Sequence, residues 1–290
     1  MKALLIVNPS AGGGRAAREL PGVESELARL GVEHRTERTR SLEHARELAV
    51  SAATRGEIAV AFGGDGLVGA VAGALRGAGG VLGVLPGGRG NDFARVLGIP
   101  LEPGPACGVL SRGVQRELDL GEADGHVFVG IASCGFDSDA NRIANATRIV
   151  RGNLVYTYGA LRALLSWRPA TFTVTLEDRE PLTITGYTVA AANSKAYGGG
   201  MYLAPDASLE DGLLDIVITG NVPRLRFLRL LPTVFKGEHV KLPDVHVMRA
   251  ASVTISADRP FTLYADGDPI AELPVRVRTL PRAVRVMVPA

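Results

Sequence analysis

Three times in the first hundred residues the chain repeats one succession of textures: a short unbroken apolar run, a glycine-rich turn, then apolar positions three and four apart. The runs cover residues 2–7, 58–62 and 81–85, and their length and lack of alternation predict parallel strands buried on both faces. The turns are Gly12-Gly13-Gly14, Gly63-Gly64-Asp65-Gly66 and Pro86-Gly87-Gly88-Arg89-Gly90. Helical spacing follows over residues 15–30, 67–75 and 91–97, so this half reads as an α/β domain. From about Asp119 the texture changes to alternating segments rich in Val, Thr, Ile and aromatics, at 127–131, 171–176, 183–191, 214–219, 251–256 and 276–288. These predict antiparallel strands, with helical interruptions at 153–167 and 224–236. The expected division is a first domain over 1–120 and a mainly β second domain over 121–290, with the last strand free to return to the first.

Composition narrows the classes. A chain of 290 residues with 46% hydrophobic and 21% charged residues is neither disordered, collagenous nor coiled coil. The 32 basic and 30 acidic residues leave a formal charge of +2, which offers no global field for nucleic acid. No run approaches the ~20 apolar residues of a spanning helix. The N-terminus, with one lysine and a very short apolar run, reads as a first strand rather than a signal peptide, so the expected location is the cytoplasm. Cys107 and Cys134 lack CxxC spacing and are expected to be buried thiols. The five histidines show no HExxH or other ligand spacing, and solvated or capping roles suffice for them. Ser133 lacks a GxSxG frame.

Glycine, at 36 of 290 residues against a usual ~7%, is the departure that carries chemistry. A strand feeding a glycine turn and a helix presents unpaired backbone N–H groups at the positive end of the helix dipole, an anion site whose backbone phosphate oxygens can approach. Three such turns together favour phosphate binding. No GxxxxGK(S/T) occurs, which excludes a P-loop. Gly64, Gly66 and Gly69 match the GxGxxG dinucleotide pattern, but Asp65 would face a pyrophosphate with like charge and no acid follows at the ribose position. A carboxylate inside a phosphate loop makes sense where Mg²⁺ screens it, and Asp65 and Asp92 would then be paired across neighbouring loops. The alternative for both is helix N-terminal capping. On local grounds Asp266-Gly267-Asp268 is a β-turn.

At this point the motifs resemble a known family. Asn8-Pro9-Ser10-Ala11-Gly12, Gly63-Gly64-Asp65-Gly66 and the segment from Leu85 to Arg95 are similar, in order and spacing, to the nucleotide-site motifs of the diacylglycerol kinase catalytic-domain family. Gly135-Phe136-Asp137, Asn193, the segment from Leu209 to Asp215 and Asp266-Gly267-Asp268 resemble its second-domain signatures, so the likeness spans nearly the whole chain. The resemblance implies an α/β nucleotide-binding domain and an antiparallel β-sandwich lipid domain with a cleft between them. It implies ATP held by Asn8, Pro9, Ser10, Gly12, Gly63, Gly64, Gly66, Gly87, Gly88, Arg89, Asn91 and Asp268, with Asp65 and Asp92 organising Mg²⁺ and water. Asp266 would take the proton of a lipid hydroxyl as the γ-phosphate transfers, most simply from diacylglycerol to give phosphatidic acid. It further implies a structural Mg²⁺ on Asp211 and the Leu213 carbonyl.

Six positions depart from the family pattern. Leu67, Gly69 and Ala70 stand where the family carries Thr, Asn and Glu, and Arg89 replaces the threonine of Pro-Gly-Gly-Thr. A guanidinium there can restore phosphate contacts through charge-assisted bonds. Asp268 replaces a glutamate, and Ser208 stands where a second metal-binding carboxylate is expected. Two further readings therefore stay open: another nucleotide-dependent enzyme such as an NAD kinase, and a lipid- or nucleotide-binding regulator with impaired catalysis. For membrane contact, residues 148–168 and the basic, apolar stretch Arg224, Leu225, Arg226, Phe227, Leu228, Arg229 suit a peripheral position at the inner membrane face. Tyr156, Tyr158 and Trp167 read as core. An edge strand in the β domain leaves a homodimer open.

Overall fold

The computed structural model describes residues 1–136, 138–140, 143, 159, 162–164, 167–177 and 179–290. The chain divides into two units, the first formed by Met1–Leu120, Val127–Val129 and Pro281–Ala290, the second by Gly121–His126 and Gly130–Leu280.

The first unit opens with β1 (Lys2–Val7), α1 (Ala11–Arg29), β2 (Glu33–Arg38), α2 (Leu42–Thr54), β3 (Ile58–Gly63), α3 (Asp65–Leu75) and β4 (Val81–Pro86). It continues through α4 (Asp92–Val96), α5 (Pro103–Arg112) and most of β5 (Val114–Ala123). The strands lie in the order β2-β1-β3-β4, all parallel, with Leu4 opposite Ala59 and Val60 opposite Gly83. Leu4, Leu5, Ile6, Val60 and Phe62 are fully buried, as strands covered on both faces require. β2 is the exception: its sequence EHRTER has no apolar residue, because it is the edge strand and pairs only with β1. Small residues let α3 approach its neighbours; a Cβ at Gly73 would lie 3.1 Å from the Val127 Cβ.

The second unit contains β6 (His126–Phe128) in part, then β7 (Ile131–Gly135), β8 (Ala170–Leu176), β9 (Leu182–Ala192), β10 (Leu214–Gly220) and α6 (Arg224–Val234). After α6 come β11 (Val245–Ala250), β12 (Ser252–Ala257), β13 (Thr262–Ala265), β14 (Asp268–Glu272) and β15 (Val275–Val288). All pairings within this unit are antiparallel, in the order β14-β13-β7-β9-β8-β12-β15, with β10 joining β9 to β11. β9 is long enough to serve two groups of strands: its first half pairs with β8 and its second half with β7 and β10. That second half is buried throughout, while the first is largely exposed. Ile131, Ala190, Leu203 and Val217 form one core beneath it. The last residues of β15 run parallel to β4, with Arg285 opposite Val81, so the C-terminus belongs to the first unit.

The expected strands appear, except that residues 127–131 are not one strand but the end of β6 and the start of β7, separated by Val129 and Gly130. β2, β5 and β11 are strands beyond those expected, and β11 precedes β12 across a single residue. The expected helix at 153–167, together with Tyr156, Tyr158 and Asp137, lies outside the described residues apart from a few positions. Trp167 is core, at 2% exposure, and Cys107 and Cys134 are free and buried. His239 corrects the expectation of solvated or capping histidines, because it is buried in a 3₁₀ turn and its Nε2 bonds the Leu203 carbonyl at 3.0 Å. Burial lowers its pKa, so it is held neutral.

Candidate active site

In the first unit the three glycine loops meet backbone to backbone. After β1 the Asn8 side chain accepts the Ser10 N–H at 3.0 Å, and Gly12, Gly13 and Gly14 follow at φ 59°, 68° and 87°. This left-handed run delays the regular helix of α1 and requires glycine. A Cβ on Gly12 would stand 2.5 Å from the Gly87 carbonyl oxygen, and one on Gly88 would stand 2.5 Å from the Gly64 Cα. The glycines thus serve the packing of loop on loop as well as any ligand. Gly63 O accepts the N–H groups of both Gly87 and Gly88, at 2.8 and 3.0 Å. Asn91, itself at φ 52°, closes the third loop by accepting from Gly88 N–H at 2.8 Å and donating to Gly88 O at 3.0 Å. Pro9 in the first loop and Gly66 at the start of α3 are half-buried, and Arg89 is exposed.

Asp65 is the pivot of this arrangement. Its Oδ1 accepts the Phe93 N–H at 3.0 Å and its Oδ2 the Asp92 N–H at 3.2 Å. The first residue of α3 therefore caps α4, a helix 27 positions further along the chain, whose own N-cap Asn91 makes no side-chain cap bond. Burial pushes the Asp65 carboxyl above the usual carboxylate range, and the backbone N–H bonds oppose that push. The Asp92 Oδ1 lies 3.8 Å from Arg95 Nε, and the side chain is buried. Leu67, Gly69 and Ala70 are all buried on α3, so the three positions where polar groups were expected belong to the core of the unit. Leu67 in addition fills the space above Gly63, where a Cβ would meet its Cδ2 at 2.7 Å.

In the second unit Asp266 and Gly267 form the two-residue loop of the β13–β14 hairpin, with Ala265 opposite Asp268. Both loop residues have positive φ, 51° and 94°, as a type I′ turn requires. Asp268 begins β14 and is exposed. The Asp266 Oδ1 accepts the Gly130 N–H at 3.0 Å, and a Cβ on Gly130 would stand 2.4 Å from that oxygen. The Gly130 carbonyl in turn accepts the N–H groups of Asn193 and Ser194, at 3.0 and 3.1 Å. One residue, Gly130, thus ties the Asp266 hairpin to the end of β9. Sequence reasoning missed Gly130, although a lone glycine inside an apolar strand pattern is itself the signal of a close approach. Beside β13 lies a cavity of about 390 Å³ lined by Trp167, Arg168, Arg259, Phe261, Thr262 and Tyr264. The Arg259 guanidinium sits 5.3 Å from the Trp167 ring centre and 5.0 Å from that of Phe261.

Asp211 lies elsewhere, on the turn before β10, where it meets Arg249. Among the described residues no three His, Cys, Asp or Glu side chains converge to hold a metal. A Mg²⁺ carried on nucleotide phosphates needs no such cage, since the phosphates supply most of its ligands.

Two family models match the chain. The diacylglycerol kinase catalytic domain covers residues 2–123, and the YegS C-terminal NAD kinase beta sandwich-like domain covers residues 130–288. A diacylglycerol kinase of Mycobacterium tuberculosis is 36% identical over 210 residues, 70% of this chain and 68% of that protein. The crystal structure of a diacylglycerol kinase from Bacillus anthracis superposes with a TM-score of 0.75 at 21% identity, covering 99% of this chain and 96% of the other. An NAD kinase from Archaeoglobus fulgidus in complex with ATP reaches a TM-score of 0.52 at 13% identity, over 99% of this chain and 93% of that one, which is a likeness of fold.

Proposed function

We propose, because this chain belongs to the diacylglycerol kinase catalytic-domain family, that it moves the γ-phosphate of ATP to the hydroxyl of diacylglycerol and releases phosphatidic acid. That the chain is a lipid kinase follows from its family; the donor, the acceptor and the residue roles are our reading. The observation that carries it is the Asp266 carboxylate, held at the apex of a hairpin, where its Oδ1 accepts the Gly130 N–H. A carboxylate held in place in this way is positioned for proton transfer, and a positioned general base contributes about 10²- to 10⁴-fold to rate. Asp266 accepts the proton of the attacking hydroxyl. The glycine loops present backbone N–H groups to the ATP phosphates, and Arg89, exposed on the third loop, adds a guanidinium. Asp65 keeps that loop in shape through Asp92 and Phe93. Mg²⁺ arriving with ATP would screen the phosphate charge, with Asp92, beside the third loop, as a carboxylate offered to it through water.

Transfer of radiolabelled γ-phosphate from ATP to a panel of diacylglycerol, monoacylglycerol, sphingosine and phosphatidylglycerol in mixed micelles tests this. Label in phosphatidic acid is expected. Label on another lipid would replace the acceptor, and no label on any of them, with ATP still bound, would favour the regulator.

The acceptor is a membrane lipid, and we assign contact with the inner membrane face to α6. Leu225 is 73% exposed and Phe235, just past the helix, 54%. Two of the three arginines expected to meet headgroups are held by the protein instead: Arg224 donates to the Trp167 carbonyl at 2.8 Å and Arg226 pairs with Asp244 at 2.6 Å. Arg229 and Lys236 are exposed and remain for anionic headgroups. The other expected membrane segment, 148–168, lies largely outside the described residues. No helix among the described residues is long and apolar enough to cross a bilayer. Replacing Leu225 and Phe235 together by Ser is expected to weaken co-sedimentation with vesicles rich in phosphatidylglycerol by about 100-fold, since each buried side chain contributes roughly 1.5 kcal/mol. Unchanged sedimentation would remove α6 from the membrane contact.

A further inference from the structure

The turn before β10 was expected to hold a divalent metal through Asp211 and the Leu213 carbonyl. Its side chains do not fit one. The Asp211 Oδ1 accepts the Leu213 N–H at 3.0 Å, and its Oδ2 is ion-paired with the Arg249 guanidinium. The Ser208 hydroxyl, standing where a second carboxylate was expected, accepts the Glu210 N–H at 3.2 Å. A divalent ion needs six or more oxygen ligands. Here the strongest donor is already bonded on both oxygens, and the neighbouring charge is positive.

Strand pairing explains how the guanidinium reaches this position. Asp215 on β10 stands directly opposite Arg249 on β11, an opposite-charge cross-strand pair. Arg249 Nε lies 3.5 Å from the Asp215 Oδ2, while the other end of the same fork contacts Asp211. The Asp215 side chain is 3% exposed. A buried carboxylate needs a cation in contact with it.

We propose that Arg249 is the resident cation of the Asp211-Gly212-Leu213 turn: one guanidinium joins Asp211 to the buried Asp215, and the turn takes no divalent metal. Arginine suits the role because its planar fork can engage two carboxylates at once, whereas a lysine ammonium is a single point. The second unit therefore folds and persists without metal, whatever the kinase reaction requires of Mg²⁺.

The test is thermal unfolding of the nucleotide-free protein, a readout independent of lipid kinase activity. The midpoint of the native protein is expected to be the same, within ~1 °C, in chelator and in excess Mg²⁺ or Ca²⁺ at matched ionic strength, because only a ligand that binds the folded state raises it. Arg249→Met is expected to lower the midpoint by about 5 °C, since it strands a buried carboxylate. Adding Asp211→Asn to that variant should recover part of the loss, because it removes a repelling charge without restoring any packing. The proposal is overturned if divalent ions raise the midpoint of the native protein by several degrees, if Arg249→Met melts like the native protein, or if the double variant is no better than the single. Should Arg249→Met fail to fold, the chelator comparison on the native protein and Arg249→Lys decide: a lysine variant as stable as the native protein would also overturn it.

Discussion

Asp266→Asn is expected to lower kcat by about 10³-fold while leaving the dissociation constant for ATP within about threefold, the signature of losing a general base and little else. Asparagine is the right replacement for physical reasons. Asp266 sits at φ 51°, a conformation asparagine tolerates better than any other residue with a side chain except aspartate. Its amide oxygen can keep the Gly130 N–H bond at Oδ1 while the NH₂ takes the other position. The turn and the Gly130 tie to β9 can be kept while the proton acceptor is removed. Alanine would confuse the outcome, since it loses the Gly130 bond and strains the left-handed backbone by about 1 kcal/mol or more. The measurements are steady-state kinetics with the lipid acceptor and calorimetric ATP binding. A variant that loses ATP affinity in proportion to turnover would make Asp266 a positioning residue, and one with native turnover would end its role altogether.

How far such a site can be read from sequence depends on what kind of interaction makes it. β1, β3 and β4 were legible because both faces are buried, and each strand therefore writes its environment into an unbroken apolar run. β2 was illegible for the complementary reason: an edge strand is held by backbone bonds to one neighbour, which no side chain records. β11 hid in the same way, exposed at half of its positions and separated from β12 by Ala251 alone. The loops announced themselves through glycine, but not what the glycines do. Gly12 and Gly88 are required by the close approach of one loop to another, a contact between residues 75 and more apart in the case of Gly12 and Gly87. Asp266 was legible as a turn, and its family motif led to the proposal of a base. The structure makes the two compatible, since the type I′ geometry is what lifts the carboxylate onto the hairpin apex. Arg249 could not have been found from the sequence, because its meaning comes from standing opposite Asp215 in the register of β10 and β11.

Asp65 shows the same limit and gives the second large effect. Capping and metal organisation were both open for it. A capping aspartate is ordinarily assigned to the helix it begins, yet both Asp65 oxygens serve α4 rather than α3. α4 has five residues, too few to stand alone, and its N-terminus carries the third glycine loop. Asp65→Asn turns one acceptor into a donor facing another donor. An N–H group is left without a partner at a cost of about 1–3 kcal/mol, and the remaining bond loses its charge assistance. Since Gly87, Gly88 and Asn91 hold their positions through this loop, the cost falls on the geometry that receives phosphate. The expected result is a loss of ATP affinity of about 30- to 100-fold, together with a fall of several degrees in the midpoint of thermal unfolding. The Mg²⁺ concentration that gives half-maximal rate, measured at ATP saturation, should stay close to native. The opposite pattern, with native ATP affinity and stability but a raised Mg²⁺ requirement, would return Asp65 to the metal. The two roles predict different observables because one acts on the loop before ATP arrives and the other only once ATP and its metal are bound.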